Sequence, residues 1–350
     1  MSSALDIAQT HLSPGWRIRG QDRVIDDLRR AVKAGPRHSY ILSGAHHSGK
    51  LSCAMQFGAA LLCPNAGEDA VPCHECSICR RIERGVFPDL SLFDLKTQAM
   101  FDKNTGKNLT LNISTVRRIT SDVSLRPSEA RWKVVIVNDV ETMQDTAQEA
   151  FLKTLEEPPA YVVIVLLTTD ADLLLPTILS RCVVLRMQTP PLSTVERALI
   201  ETGIDHDHAH RVALLSDGQV GWALMAANDP RLLEERAAVR LRAIAWITSE
   251  PYRRLITATL LADVFGKDRE AVFVELMAVQ RVWREVLHVL ERVDPENRPD
   301  DLQFSEPDFS SASVVACLRS IDTCVANLEA NVRPRLAMQS MVTSWPEMST

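Results

Sequence analysis

Short apolar runs alternate with helical patterns over the first half of the chain. Five runs rich in branched aliphatic residues have the length and composition of buried strands, and they span residues 37–44, 89–95, 133–137, 161–167 and 182–185. Helical periodicity fills the gaps at residues 50–62, 113–125, 145–155 and 173–179. Strands that alternate with helices predict an α/β domain whose sheet is mostly parallel and covered on both faces.

The strand pattern ends near Met187, and the Pro-rich segment 189–193 marks a boundary. The later apolar patterns are helical, with a break at residues 217–221. An acidic segment at 294–308 is predicted to be an exposed loop. The predicted division is an α/β domain at 1–188, a small helical domain at 189–240 and a larger helical domain at 241–350.

Composition narrows the class of protein. The 350 residues include 39 Lys+Arg and 45 Asp+Glu, which give a formal net charge of −6, and 46% of them are hydrophobic. These values are ordinary for a globular chain, and a slightly acidic chain is a poor candidate for a nucleic-acid binder that acts alone. No apolar run approaches the ~18 residues that would span a membrane, and the N-terminus lacks the pattern of a signal peptide. We therefore expect a cytoplasmic protein without a membrane partner.

A phosphate-binding loop is predicted where the first strand run meets the helix at 50–62. Residues 44–50 match G-x-x-x-x-G-K in the strand-to-helix context that this motif requires. Gly44 and Gly49 let backbone N–H groups face a phosphate, and Lys50 adds a full positive charge at a helix N-terminus. His46 and His47 within the loop have no nearby carboxylate to orient them, so we do not expect them to act as acid, base or metal ligand.

Two positions expected to hold Mg²⁺ carry unsuitable residues. Leu51 follows the lysine, where Ser or Thr is needed. Asn138 follows the third strand, where a metal-binding Asp is expected, and Asp139 stands where a catalytic Glu is expected. Because a neutral amide is a weak ligand for this hard cation, we predict weak or absent ATP hydrolysis by the chain alone. Whether ATP or ADP still binds as a static ligand stays open.

Four cysteines form a second candidate site within an inserted module at 63–79. Cys63, Cys73, Cys76 and Cys79 have the spacing C-x9-C-x2-C-x2-C in a polar, turn-rich stretch. Four thiolates suit tetrahedral Zn²⁺, and a closed four-sulfur site would be structural rather than catalytic. Disulfides are disfavoured in a cytoplasmic chain, and an iron–sulfur cluster is the remaining alternative. His74 lies inside one gap and is not expected to be a ligand.

Two further sequence segments carry a resemblance to a known protein family. Residues 147–159 read AQEAFLKTLEEPP, and residues 175–182 read LPTILSRC. With the altered phosphate loop and the cysteine module, they resemble bacterial clamp-loader subunits of the AAA+ ATPase superfamily, above all the delta-prime type of DNA polymerase III. The strings RGQD at 19–22 and NVRPRLA at 331–337 are similar to the same family. The resemblance is clearest over residues 17–190.

The resemblance implies a RecA-like AAA+ domain, a helical lid at 189–240 and a helical collar at 241–350 that joins a five-subunit assembly. Such an assembly opens the sliding clamp and loads it onto primed DNA, and its other members are gamma/tau-type and delta-type subunits. Delta-prime-type subunits hydrolyse ATP poorly but lend an arginine finger to a neighbour's ATP site. Arg181 matches that arginine, and Trp222 stands where active members have a lid arginine.

Three functions are compatible with these residues. The first is a non-hydrolysing clamp-loader subunit that supplies Arg181 in trans. The second is an active gamma/tau-type ATPase, in which Ser52 or water would replace the missing Mg²⁺ ligand. The third is a zinc-bearing scaffold unrelated to replication. For Arg181 by itself, the alternative is an ordinary surface arginine in a salt bridge.

Overall fold

The computed structural model of the protein describes residues 15–45, 48–67, 69–101, 110–291, 293, 310–329 and 332–346. The chain divides into two compact units between Asn228 and Asp229. The acidic segment at 294–308, the loop histidines His46 and His47 and the first 14 residues lie outside the described residues, so the predictions made for them stay predictions.

Strands and helices alternate through the first unit. Its strands are β1 (Ser39–Ser43), β2 (Leu90–Phe93), β3 (Lys133–Val137), β4 (Val162–Thr168) and β5 (Val183–Arg186). The helices up to the last strand are α1 (Asp22–Ala34), α2 (Lys50–Leu62), α3 (Ser77–Glu83), α4 (Leu95–Phe101), α5 (Ile113–Ser124), α6 (Asp145–Glu156) and α7 (Pro176–Leu179). Three further helices follow β5: α8 (Leu192–Ile200), α9 (His206–Ser216) and α10 (Val220–Ala226).

The strands form one sheet in the order β2-β3-β4-β1-β5, and every pairing in the described part of the chain is parallel. Strand β1 pairs with both β4 and β5, so Tyr40 lies opposite Val165 on one side and Val183 on the other. All residues of β1, β3 and β4 are buried, which accounts for their nearly unbroken apolar sequences. Because the strands are parallel, their carboxyl ends share one edge of the sheet and their amino ends share the other.

Alternate strand residues point to opposite faces of the sheet, and each face has its own core. Leu42 and Val165 belong to the core that includes residues of α1 and α2. Ile41 and Ile164 belong to the core that includes residues of α5 and α6. The predicted α/β class, with a parallel sheet covered on both faces and helices after it, is confirmed.

Most predicted elements agree with the structure to within two residues, and β3 and α2 have the predicted bounds. The helix predicted at 173–179 is wrong in its first half. A short 3-10 turn covers Ala171–Leu173, and α7 begins only at Pro176. The residue before a proline is biased toward extended backbone, and Leu175 has φ −57° and ψ 137°. A continuous helix therefore cannot pass this point.

The second unit is helical throughout its described part. Its helices are α11 (Pro230–Thr248), α12 (Pro251–Phe265), α13 (Arg269–Leu290), α14 (Ser311–Glu329) and α15 (Pro334–Thr343). Asp229 caps α11, because its side chain accepts a hydrogen bond from the N–H of Arg231. Position 240, the predicted boundary between the two helical domains, lies inside α11, and the helix is continuous there. Within the described ranges, no helix has the length and apolar character needed to cross a bilayer.

A cluster of tryptophans and one buried arginine organise the core of the second unit. The ring of Trp345 lies 5.4 Å from that of Trp246 and 5.9 Å from that of Trp283, measured between centroids. Arg254 is 1% exposed, and its guanidinium donates to the carbonyl oxygens of Ile247 at 2.6 Å and Pro346 at 2.7 Å. A buried charge needs such acceptors, and these two tie the last described residues to α11.

The segment between β5 and α8 is held by the N-terminal loop. The side chain of Gln21 bonds the backbone of Gln188 in both directions: its Nε2 donates to the carbonyl at 2.5 Å, and its Oε1 accepts from the N–H at 3.2 Å. Gly20 has φ 74°, and a Cβ there would lie 2.6 Å from the ring of Pro190. The small, left-handed residue in the RGQD string is thus required by this contact.

Gly218, between α9 and α10, also lies close to the segment between β5 and α8. Its φ is 71°, and an added Cβ would lie 2.3 Å from Cγ2 of Thr189 and 2.8 Å from the carbonyl oxygen of Pro190. Gly203 has a similar φ of 88° but no atom within 4 Å of an added Cβ. A comparison of Gly218 with Gly203 therefore separates the energetic cost of a left-handed backbone from the cost of a steric clash.

We predict that Gly218→Ala lowers the free energy of unfolding by about 2–4 kcal/mol, because left-handed strain and overpacking add. Gly203→Ala is expected to cost about 1–2 kcal/mol, since it carries the strain alone. Urea denaturation of the two variants and the parent chain measures the difference. Equal losses in the two variants would contradict a tight contact at Thr189 and Pro190.

Candidate functional site

The phosphate loop lies at the carboxyl edge of the sheet, between β1 and α2. Gly49 has φ 86° and occupies the N-cap position of α2. The N–H of Gly44 donates to the carbonyl of Thr168 at 3.1 Å, and a Cβ on Gly44 would come within 2.8 Å of the carbonyl oxygen of Met187. The two glycines therefore stand where the strand-loop-helix motif needs residues without a side chain.

Lys50 is turned back onto its own loop. Its Nζ donates to the carbonyl oxygens of Gly44 at 2.6 Å and Ala45 at 2.8 Å. Burial lowers the pKa of Lys50, and the nearby carboxylates of Glu141 and Asp139 oppose that shift. The ammonium group is thus satisfied by internal acceptors.

The two positions expected to bind Mg²⁺ flank this loop. Leu51 is on the first turn of α2 and is 36% exposed. Asn138 follows β3, and its Nδ2 donates to Oδ2 of Asp139 at 3.1 Å. Asp139 has a left-handed backbone with φ 54°. The amide and carboxylate are therefore paired with each other at the carboxyl edge.

Glu141 is a charged residue of this region that the sequence reasoning did not single out. It lies in a 3-10 turn at Val140–Thr142, and its Oε1 accepts the N–H of Thr169 at 3.0 Å. Its charge acts on Lys50. The sequence signal that could have identified Glu141 is a second acidic residue, two positions after Asp139, in the turn that follows the buried strand β3. Glu141 places an internal anion beside the phosphate loop.

The four cysteines of the inserted module come together. Their sulfur atoms all lie within 4.8 Å of one another. The separations are 3.5 Å for Cys63–Cys73, 4.0 Å for Cys63–Cys76 and 4.0 Å for Cys73–Cys79. Sulfurs at 2.3 Å around a tetrahedral Zn²⁺ would be separated by about 3.8 Å, so the donor set and its spacing fit this metal.

Backbone N–H groups point at the sulfurs. Those of Cys73, Cys76 and Cys79 each donate to the preceding sulfur of the set at 3.4–3.5 Å. Burial opposes ionisation of Cys73, but hydrogen bonds from Glu75, Cys76 and neighbouring thiols outweigh it and lower the pKa of Cys73 to about 6. Burial raises the pKa of Cys79. The module thus contains one readily formed thiolate within a cluster that could bind zinc.

The module is also tied to the start of the described chain. The indole Nε1 of Trp16, a buried residue, donates to the carbonyl of Ala70 at 3.0 Å. The two ring nitrogens of His74 lie 3.2 Å from the carbonyl oxygen of Gly15 and 3.4 Å from Oε1 of Glu83. His74 is therefore engaged away from the sulfurs, as expected for a residue that is not a ligand.

Arg181 lies in the turn between α7 and β5. One guanidinium nitrogen, Nη1, donates to the carbonyl of Thr177 at 2.8 Å and to Oγ of Ser180 at 3.2 Å. The other, Nη2, lies 2.5 Å from Oε1 of Glu156 at the end of α6. The side chain of Arg181 is 33% exposed, so the group is held in place yet open to solvent.

The sheet separates Arg181 from the phosphate loop of the same chain. Ser43, which precedes the loop, lies opposite Arg186 at the carboxyl end of β5. Arg181 precedes Arg186 by five residues, an extended distance of roughly 15 Å. Arg181 is therefore at the amino edge of the sheet, and the loop is at the carboxyl edge.

Trp222, which was named from the sequence, and four further cysteines lie outside the cysteine module. Trp222 is on α10, and Oγ1 of Thr168 donates to the carbonyl of Asp170 at 2.8 Å. The remaining cysteines, Cys53, Cys182, Cys317 and Cys324, are buried or half-buried, and burial raises the pKa of each thiol. They behave as small apolar residues.

Comparison with known proteins gives consistent matches. A family model described as DNA polymerase III, delta subunit, matches residues 20–191. The tau/gamma subunit of DNA polymerase III from Haemophilus influenzae is 34% identical over 206 residues, which cover 57% of this chain and 27% of that protein. The delta-prime subunit from Bacillus subtilis is 29% identical over 220 residues, which cover 63% of each chain.

Among solved structures, a gamma-subunit-related protein of DNA polymerase III from Thermotoga maritima matches 91% of this chain and 97% of its own, with 20% identity and a TM-score of 0.47. The chain spans only 27–44% of the length of the first tau-type relatives. The matched family region contains the sheet, the phosphate loop, the cysteine module and Arg181. Over residues 20–191, the chain is therefore similar to subunits of DNA polymerase III.

Proposed function

We propose that this chain is a delta-prime-type subunit of the DNA polymerase III clamp loader. Together with gamma/tau-type and delta-type subunits it takes part in the ATP-driven loading of the sliding clamp onto primed DNA. The chain does not hydrolyse ATP itself and instead presents Arg181 to the ATP site of a neighbouring subunit.

The placement of Arg181 carries this proposal. Arg181 and the phosphate loop are at opposite edges of one parallel sheet, so Arg181 cannot reach a nucleotide held by its own loop. A partly exposed guanidinium fixed on a folded domain can instead meet the γ-phosphate of a nucleotide bound elsewhere. An arginine supplied in trans in this way stabilises the charge that develops during phosphoryl transfer.

The chain's own phosphate site supports the non-hydrolysing role. Leu51 and Asn138 offer no anionic oxygen to Mg²⁺, which favours such ligands. Lys50 is bound to the carbonyls of its own loop, and Glu141 places a negative charge beside it. A bound triphosphate would need Lys50 to leave these acceptors and would meet repulsion from Glu141.

An active gamma/tau-type ATPase is the second candidate. The G-x-x-x-x-G-K motif is present with Gly49 in the left-handed conformation, and a tau/gamma subunit is among the relatives with 34% identity. In this alternative, Lys50 would turn toward the nucleotide. ATP hydrolysis by the isolated chain separates the two candidates.

We predict that the isolated chain shows no ATP turnover and that it stimulates turnover when mixed with gamma/tau-type and delta-type subunits, sliding clamp and primed DNA. Arg181→Ala is expected to abolish the stimulation, because loss of an arginine finger costs about 10³-fold or more at the site it serves. Steady-state phosphate release measures both rates.

Arg186→Ala is the matched control, since it removes an exposed arginine from β5 that pairs only loosely with Asp172 at 3.6 Å. Its turnover should equal that of the parent chain. If the chain alone hydrolyses ATP and Lys50→Ala removes this activity, the chain is instead an active gamma/tau-type ATPase.

An exposed apolar face on α12 supports assembly with other subunits. Tyr252, Ile256, Leu260 and Val264 recur every four residues and therefore share one side of the helix. All four are exposed, whereas Ala258, Ala262 and Phe265 on the other side belong to the core. A continuous apolar stripe of this kind marks an interaction surface, and in this proposal another clamp-loader subunit covers it.

We predict that Leu260→Glu weakens association with gamma/tau-type and delta-type subunits about 30-fold or more, as expected when a charge enters the buried centre of an interface. Leu241→Glu is the matched control, because both leucines are 60% exposed and Leu241 lies on α11. Sedimentation velocity of the mixtures measures assembly, and circular dichroism checks folding. Equal assembly by both variants would contradict the proposed interface on α12.

Within this role, the four-cysteine module binds one structural Zn²⁺ through Cys63, Cys73, Cys76 and Cys79. The spacing of the sulfurs supports this assignment, and the closed set leaves no position for substrate. The metal would hold α3 and the adjoining loop against Trp16.

We predict about one zinc per chain in the purified protein and less than half of that in Cys76→Ser. The variant should also lose about 4–8 °C in Tm, because an opened site no longer stabilises the module. Elemental analysis and thermal melting measure the two effects. Cys182→Ser changes a thiol outside the module and should keep its zinc, and a metal content unaffected by Cys76→Ser would refute the assignment.

A further inference from the structure

We infer that Glu156 is a positioning residue for Arg181: its carboxylate holds the guanidinium in the orientation presented to the neighbouring ATP site. This inference rests on the proposed function of Arg181. It adds a second residue, from a different element, to the group that this chain supplies in trans.

The contact joins two rigid parts of the fold. Phe151 and Leu155 bury one side of α6 in the core, and Pro158 and Pro159 follow its end, so the helix terminus is fixed. On the other side, the N–H of Arg181 donates to the carbonyl of Ile178 at 3.1 Å, which closes the turn after α7. Glu156 and Arg181 are 25 residues apart in sequence, and Nη2 of Arg181 lies 2.5 Å from Oε1 of Glu156.

Helix stability does not account for a glutamate at this position. Glu156 is the last residue of α6, where the partial negative charge of the helix end disfavours a carboxylate. Its side chain is 47% exposed, and an ion pair that is open to solvent contributes little to the stability of the fold. What the pair does provide is a fixed direction for a long and otherwise mobile arginine side chain.

The arrangement leaves part of the guanidinium for a phosphate. A guanidinium has five N–H donors, and the contacts to Thr177, Ser180 and Glu156 require three of them. The remaining donors can approach a phosphate oxygen while Glu156 keeps its contact. Glu156 therefore orients the finger rather than blocking it.

The neighbouring glutamate offers a matched control. Glu157 is exposed, follows Glu156 directly and carries the same charge at the same helix end. Glu156→Gln and Glu157→Gln change net charge and helix-end electrostatics alike. A difference between them therefore reports on the contact with Arg181.

The first measurement follows the isolated chain with phenylglyoxal, which modifies arginine, and quantifies Arg181 by peptide mass spectrometry. Relative to Glu157→Gln, the variant Glu156→Gln should raise the modification rate of Arg181 about two- to fivefold, as expected for release from a partly exposed ion pair. Arg186 serves as internal reference and should react at an unchanged rate. Equal rates at Arg181 in the two variants would overturn the inference.

The second measurement is ATP turnover in the mixture of loader subunits, clamp and primed DNA, with this chain at saturation. Glu156→Gln should lower stimulated turnover about two- to fivefold, and Glu157→Gln should leave it unchanged. The double variant Arg181→Ala with Glu156→Gln should be no slower than Arg181→Ala, because the carboxylate acts only through the arginine.

The outcomes distinguish this inference from the proposed function. Turnover that is unchanged or faster in Glu156→Gln, while Arg181→Ala is inactive, would overturn positioning by Glu156 and leave the arginine finger in place. Turnover that is unchanged in Arg181→Ala would overturn the finger and its positioning together. The modification rates would still report whether Glu156 restrains Arg181 in that case.

Discussion

Parallel hydrogen bonding between the strands is the constraint on which the first unit depends. Because β1 lies between β4 and β5 and runs in the same direction as both, the loop after β1 opens at one edge of the sheet and the turn before β5 lies at the other. The phosphate loop and Arg181 are therefore held apart by the length of a buried strand. A chain built in this way can face two neighbours with two different groups, which is the layout that the proposed function requires.

The phosphate loop illustrates how a half-buried charge is satisfied. Taking an ammonium group out of water is costly unless acceptors replace the lost hydration. Lys50 finds them in the carbonyls of Gly44 and Ala45, and the carboxylates of Glu141 and Asp139 lie close enough to favour its charged form. Leu51 and Asn138 occupy the positions expected to bind Mg²⁺. Together with these contacts of Lys50, they support the proposed role of a loop that keeps its backbone shape without hydrolysing ATP.

Contacts between segments distant in sequence hold these groups in place. Gln21 pairs with the backbone of Gln188, and Gly20 and Gly218 close on the segment that follows it. Trp16 fastens the cysteine module to the start of the described chain. The same principle operates at Arg181, where a residue from the end of α6 meets a turn 25 residues later. A side chain that must act at a fixed point needs partners whose own backbones are fixed.

The sequence by itself determined much of the local structure. The bounds of β3 and α2, the strand-loop-helix context of Gly44 to Lys50 and the cysteine set were all readable, because each depends on spacing and side-chain type over a few residues. The helix predicted at 173–179 was wrong in its first half because Pro176 imposed an extended Leu175. Only the tertiary structure decided the strand order, the opposite edges occupied by Arg181 and the phosphate loop, the charge of Glu141 beside Lys50 and the contact of Glu156 with Arg181. Each of these features depends on which distant segments of the chain pack together, and a local pattern of residues does not predict that packing.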